Sequence, residues 1–290
     1  MQVRTFELHF ALFIGSKGSS AMADEAVVGA QADDDEMIFV YMGGDQVVPM
    51  DIRRVRIHKS VKNIPRDAFY GREHLIDVEF HDGIEIVEAE AFHSCFSLRS
   101  AKLLGVKIIK TRAFSNCFGL TDVEFNSLET IEQRAFCNCT SLRSITMPSV
   151  RTIGKCAFIY CYHLTDLYLP EALETIQEAA LYNCKRLRRI TMPLNCMIGA
   201  HVFGNNCSKL TSLDLVGGIH NTTASLHLES WRNEMKDEIN RINQVLPSME
   251  RAKTAEIQQW MSSVISQLDH YKAEHKALLK EATTLLELAL

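Results

Sequence analysis

Five stretches of this chain repeat one phrase: VEAEAFHSCFSLRSAKL, IKTRAFSNCFGLTDVEF, IEQRAFCNCTSLRSITMP, IGKCAFIYCYHLTDLYLP and IQEAALYNCKRLRRITMP. They begin 22 or 23 residues apart. No other feature restricts the fold as strongly. One unit of this length cannot bury its apolar face alone, so a fixed interval of this size means stacked units with a shared core.

Aligning the phrase gives seven units. The aromatic position holds Phe69, Phe92, Phe114, Phe136, Phe158, Leu181 and Phe203. Five residues earlier stand Ile64, Val87, Ile109, Ile131, Ile153, Ile176 and Ile198. A thiol follows at Cys95, Cys117, Cys139, Cys161, Cys184 and Cys207, with Arg72 in the first unit. A leucine closes each unit: Leu75, Leu98, Leu120, Leu142, Leu164, Leu187 and Leu210. Apolar residues return three and five positions after the leucine, the alternation of a half-buried strand. Pro148, Pro170 and Pro193 end three of these strands. The Ala-Phe-x-x-Cys segment spaces its apolar groups three and four apart, which predicts one helical or 3₁₀ turn. Stacking then places phenylalanine on phenylalanine and thiol on thiol. Cysteine suits such a column because it is small, fairly apolar and stable when buried.

The pattern Ile-(five)-Phe-x-x-Cys-x-x-Leu-x-x-Ile, as in Ile131 through Ile145, resembles the BspA-type branch of the leucine-rich repeat family over about residues 53–216. The resemblance implies a curved or slightly twisted solenoid used for binding. The fold class expected is an α+β repeat: a leucine-rich-repeat solenoid of seven coils, short parallel strands plus helical turns, followed by a C-terminal α-helical hairpin. Departures fall at the ends, where Arg72 replaces the thiol, Leu181 the aromatic, and Asn205-Asn206 adds a residue. Residues 1–37, with the acidic run DEAVVGAQADDDE, read as a disordered leader. A signal-peptide reading of the first 23 residues is weakened by Glu7 and His9. Residues 38–52, two β-rich runs around Gly43-Gly44, read as an N-terminal cap.

Beyond Gly217-Gly218 the pattern changes to helical spacing over 217–290. Leu228, Trp231, Met235, Ile239, Ile242 and Leu246 define one amphipathic helix ending near Pro247. From about Thr254, Ile257, Met261, Val264, Leu268, Tyr271, His275, Leu278, Ala282 and Leu285 alternate spacings of four and three, a coiled-coil seam. The second helix is much the longer. A hairpin therefore leaves its last third uncovered, where Leu278, Leu279, Leu285, Leu286 and Leu288 form a broad apolar stripe that predicts capping of the solenoid, self-association or a partner. This tail resembles that of uncharacterised eukaryotic proteins of the same layout.

Chemistry is hard to find. Gly43-Gly44 lacks the companions of a phosphate loop, and Cys137-Asn138-Cys139 lacks a zinc spacing. His275 reads as a polar core residue, and no catalytic grouping stands out, so neither enzyme activity nor a cofactor is expected. A net charge of -5 disfavours nucleic acid, and no stretch approaches the ~18 apolar residues of a membrane span. Nine cysteines, an odd number with six on the repeat position, point to a reducing, cytoplasmic setting. What remains is surface. The residues two and four after each leucine face outward in two ladders. Asp122, Glu124, Asp166, Tyr168, Arg189 and Thr191 are the candidates to contact an unidentified protein partner, since Tyr and Arg are frequent anchors of interfaces. The expectation is a non-enzymatic interaction module or scaffold, with a homodimer through the tail as one of the three roles open to that stripe. The alternatives are a secreted or cell-surface adhesin and a subunit of an enzyme complex with an unrecognised site.

Overall fold

The computed structural model describes residues 38–44, 46–204, 206–249 and 251–289. The expected leader, residues 1–37, lies outside them. Each coil contributes one short strand after its leucine: Asp77–Glu79, Ser100–Lys102, Asp122–Glu124, Ser144–Thr146, Asp166–Tyr168, Arg189–Met192 and Ser212–Leu215. Arg54–Ile57 and Ile38–Tyr41 precede them. All pairings are parallel, and the nine strands form three hydrogen-bonded sheets of three. The middle residue of each three-residue strand is buried and its neighbours face outward, as the alternation requires. In the N-terminal segment only Ile38–Tyr41 is a strand; the second run leaves Val48 buried without forming one.

A fourth sheet has no counterpart in the sequence reading. The position five before the aromatic ends a two-residue strand in every coil, from Asn63–Ile64 through Thr130–Ile131 to Met197–Ile198, and these pair into one seven-stranded parallel ladder. Two residues are too few to display a period.

The third side of each coil differs from expectation. Ala-Phe-x-x-Cys forms no α or 3₁₀ helix; alternate N–H groups close single i to i+3 turns, Cys137 N to Arg134 O at 3.1 Å and Cys139 N to Phe136 O at 3.3 Å. The residue two before the aromatic has positive φ in all seven coils: Asp67, Glu90, Arg112, Arg134, Cys156, Ala179 and His201. So does the residue two after it in six: Gly71, Ser94, Asn116, Asn138, Tyr160 and Asn183. Right- and left-handed conformations thus alternate, and every second N–H points along the stack. Arg134 N donates to Lys155 O at 2.9 Å, Phe136 N to Ala157 O at 2.8 Å and Asn138 N to Ile159 O at 2.9 Å. A single helical turn would aim those groups within its own coil. Hydrogen bonding to the next coil offsets the roughly 1–2 kcal/mol cost of a left-handed residue.

Inside, Phe69, Phe92, Phe114, Phe136 and Phe158 stack with centroids 4.8–5.4 Å apart and planes within 5°. Tyr41 closes the column edge-on against Phe69 at 5.0 Å. The thiols make a second column with a chemical purpose. Each donates to the carbonyl of the aromatic position one coil back: Cys95 to Phe69, Cys117 to Phe92, Cys139 to Phe114, Cys161 to Phe136, Cys184 to Phe158 and Cys207 to Leu181, at 3.1–3.3 Å.

Three helices follow: α1 (Gly218–Thr223), α2 (Glu229–Val245) and α3 (Lys253–Ala289). Trp231, Met235, Ile239 and Ile242 of α2 are buried together with Ile257, Trp260, Met261, Val264, Leu268 and Tyr271 of α3. Leu228 stands at the start of α2, exposed. Asn243 binds both backbone groups of Leu213, 2.7 Å from its N–H and 3.0 Å from its carbonyl. It closes the open edge of the last strand, which would otherwise be a template for pairing.

Candidate interaction surface

The outward faces of the strands carry the two predicted ladders. Asp122 and Glu124 are exposed on the middle sheet, where Ser144 Oγ donates to Asp122 Oδ1 at 2.7 Å. The other four candidates meet on two adjacent paired strands, with Asp166 opposite Arg189 and Tyr168 opposite Thr191. Tyr168 is 61% exposed. Arg189 reaches forward to Asp214 at 3.7 Å, while Asp166 and Thr191 are half-buried beside it. The predicted residues therefore form one cluster of four and a separate acidic pair two coils away.

Reactive chemistry has no support in the core. Burial pushes the Cys95 and Cys207 thiols up to about 12 and those of Cys117, Cys139, Cys161 and Cys184 well above the ordinary thiol range. These groups are donors, not nucleophiles. Among the described residues no three His, Cys, Asp or Glu side chains converge to hold a metal ion, and no helix is long and apolar enough to cross a membrane. His275 is not a core residue. It is half-buried and stacks on His227, with ring centroids 4.2 Å apart.

On α3 the described side chains from Lys276 onward are all exposed. Leu278, Leu279, Leu285, Leu286 and Leu288 are 51–80% exposed, because α2 begins at Glu229, level with Tyr271 and His275, and has nothing to offer further along. One buried group escaped the sequence reading. Lys253 Nζ donates to the carbonyls of Leu210, Leu246 and Ser208. A lysine at the start of a helix reads as a solvated residue, and nothing local marks it otherwise.

Parallel strands repeated once per coil, with their outward residues in register, define a leucine-rich-repeat solenoid that presents a continuous polar face. The chain belongs to the family of the BspA type leucine rich repeat region, whose model matches residues 49–127 and 107–226 in six copies. Among solved structures it is similar to a leucine rich repeat protein of T. pallidum, with 30% identity over 45% of this chain and 62% of that one and a TM-score of 0.43. A leucine-rich repeat protein from Eubacterium ventriosum is 22% identical over 54% of this chain and 42% of that one, with a TM-score of 0.45. A leucine rich cell surface protein from Faecalibacterium prausnitzii is 20% identical over 58% and 60%, with a TM-score of 0.38. The chain spans less than two thirds of the length of each. No curated protein matches it.

Proposed function

We propose that this protein is a non-enzymatic interaction module whose strand face grips a protein partner at the cluster of Asp166, Tyr168, Arg189 and Thr191. The observation that carries this reading is Tyr168. It is a large aromatic side chain, 61% exposed, opposite Thr191 and two residues along the strand from the Asp166–Arg189 pair on rigid paired strands. Such a residue loses little entropy on binding and buries much area. Asp122 and Glu124 extend the contact along the stack. A reducing compartment fits the thiol column, since oxidation would remove the proton each thiol donates. The stripe of Leu278, Leu279, Leu285, Leu286 and Leu288 is the second contact surface of this reading and joins two copies through α3.

The triple variant Asp166→Arg, Tyr168→Ala, Arg189→Glu tests the strand face. All three side chains point away from the core, so circular dichroism and the unfolding midpoint should match the parent. Partners captured by the parent should be absent from the variant. Retention of every partner would refute the strand face as the contact.

A further inference from the structure

The two long edges of the solenoid treat their charges differently. On the edge that carries the two-residue strands, acids and bases just before and just after those strands pair from coil to coil. Lys107 lies 3.2 Å from Glu85, Lys110 3.0 Å from Glu88, Arg112 3.7 Å from Glu90 and Lys155 2.7 Å from Glu178, and Arg151 pairs with Glu174. The other edge runs from the aromatic position to the residue after the leucine. In coils two to seven that stretch contains no Asp or Glu. It carries Arg99, Arg143, Lys185, Arg186, Arg188 and Lys209, all exposed and none in an ion pair among the described residues. The neighbouring acidic column of the strand face, with Asp122 and Asp166, makes no ion pair with them either.

An aromatic column runs along this same edge and has a gap. Phe96 and Phe118, in consecutive coils, stack at 5.0 Å with planes 15° apart. The next coil places Thr140 at that position, and the one after it Tyr162. Lys185 Nζ sits 4.6 Å from the centroid of the Tyr162 ring. Lys185 comes from the following coil, so it covers the face of Tyr162 turned toward that coil, while Tyr160 of the same coil meets the ring in a T-shaped contact at 6.1 Å. Phe118 and Tyr162 are two coils apart, about 10 Å at the usual strand spacing. A ring placed over Thr140 would lie about 5 Å from each, the separation at which aromatic pairs attract. His163, from the following coil, ties down the backbone at Thr140, its Nδ1 2.7 Å from Thr140 O.

We infer that this edge is a docking ledge for an extended acidic peptide segment, with one aromatic side chain of that segment seated over Thr140 between Phe118 and Tyr162. Uncompensated cations supply the complementarity in charge, and the missing rung supplies the register. The rings elsewhere in the column are stacked on each other, which leaves no series of free faces for successive nucleotide bases and favours a peptide. The ledge is distinct from the strand-face cluster and does not depend on it.

The test is fluorescence anisotropy on the full chain at low salt with three labelled probes. They are a short oligoglutamate peptide with one central phenylalanine, the same peptide with alanine there, and a single-stranded oligonucleotide of equal length. The phenylalanine peptide should bind about tenfold more tightly than the alanine peptide, and both should weaken as salt rises. Thr140→Trp, which fills the gap, should abolish the preference. Phe118→Ala, which removes a wall without adding bulk, should do the same and serves if the first variant does not fold. Lys185→Glu with Arg188→Glu should weaken both peptides at least tenfold. Equal binding of the two peptides, no binding at low salt, tighter binding of the oligonucleotide, or loss of peptide binding in the strand-face triple variant would each overturn the proposal.

Discussion

The middle of the solenoid and its two ends face the same problem and solve it with different atoms. In the middle, the carbonyl at each aromatic position is out of reach of water, and a neutral thiol one coil on donates to it. At the first coil the thiol position holds Arg72, whose guanidinium donates to Val48 O in the N-terminal segment at 2.6 Å. Beyond the last coil, Lys253 donates to three carbonyls at once. A regular stack keeps every distance constant, so a short side chain serves and no charge need be buried. At the ends the spacing is irregular, and a long cationic side chain reaches where a thiol cannot. Lys253 stands at the first residue of α3, where a cation opposes the helix dipole. Its position is explained by the carbonyls and not by the helix.

The comparison breaks most visibly in the middle. Phe136 is fully buried and stacked 5.4 Å from a ring on either side. Phe136→Ala should cost about 3–5 kcal/mol through lost transfer energy and the cavity left behind, read from urea unfolding. A loss below about 1 kcal/mol would mean that the column does not carry the core. At the end, Lys253→Met keeps the length of the side chain and removes every donor. Two buried carbonyls, of Leu210 and Leu246, and the less buried one of Ser208 lose a partner, for about 2–4 kcal/mol, read the same way.

The two kinds of donor also titrate in opposite senses. Burial raises the thiols, so their contribution is complete below the unfolded value near 9.0 and is lost as pH climbs through the folded value, about 12 for Cys95. Burial lowers Lys253 below its ordinary 10.5. The unfolded chain then binds that proton more tightly, and this site gains stability as pH rises toward 10.5. Between pH 8 and 10 the parent should lose stability overall. Cys139→Ala, about 1 kcal/mol weaker at pH 7, should show a shallower fall, and Lys253→Met a steeper one. Identical slopes in all three proteins would remove the distinction between interior and end.

The columns of phenylalanine, thiol and leucine were legible because each is one residue type at one interval, and the outward ladders followed from strand alternation. The left-handed residues were not. Asp67, Glu90, Arg112, Arg134, Cys156, Ala179 and His201 share no chemistry, and none is glycine. Their conformation is imposed by hydrogen bonds to the next coil, which no window of one unit contains. The two-residue strands were missed because they are too short to show an alternation, and their pairing lies between coils. The helical reading of Ala-Phe-x-x-Cys failed because a spacing of three and four suits a helix and equally suits a corner that turns inward twice. In the candidate surface, the ladders could be read from position alone. The cation edge needed knowledge of which charges pair across coils, and the gap at Thr140 needed the rings on either side of it.

The tail offers the smallest effect and a sharp contrast within one helix. Leu268 and Leu286 belong to the same helix and the same side-chain type, yet Leu268 is buried against α2 and the last coils while Leu286 is 65% exposed. Leu268→Ala should cost about 2–4 kcal/mol. Leu286→Gln should leave the stability of the isolated chain within about 0.5 kcal/mol, because it removes no intramolecular contact. Self-association through α3 would separate the two further. The five exposed leucines present an apolar stripe of about 500 Å² per copy, and a pair would bury about 1,000 Å², the lower end for a specific interface. A dimer held this way has a mass that depends on concentration in sedimentation equilibrium, and Leu279→Gln with Leu286→Gln should return it to the monomer without altering the unfolding midpoint of that monomer. An unchanged mass in the double variant would leave the stripe without a role in joining copies, and the difference between Leu268 and Leu286 would then be one of burial alone.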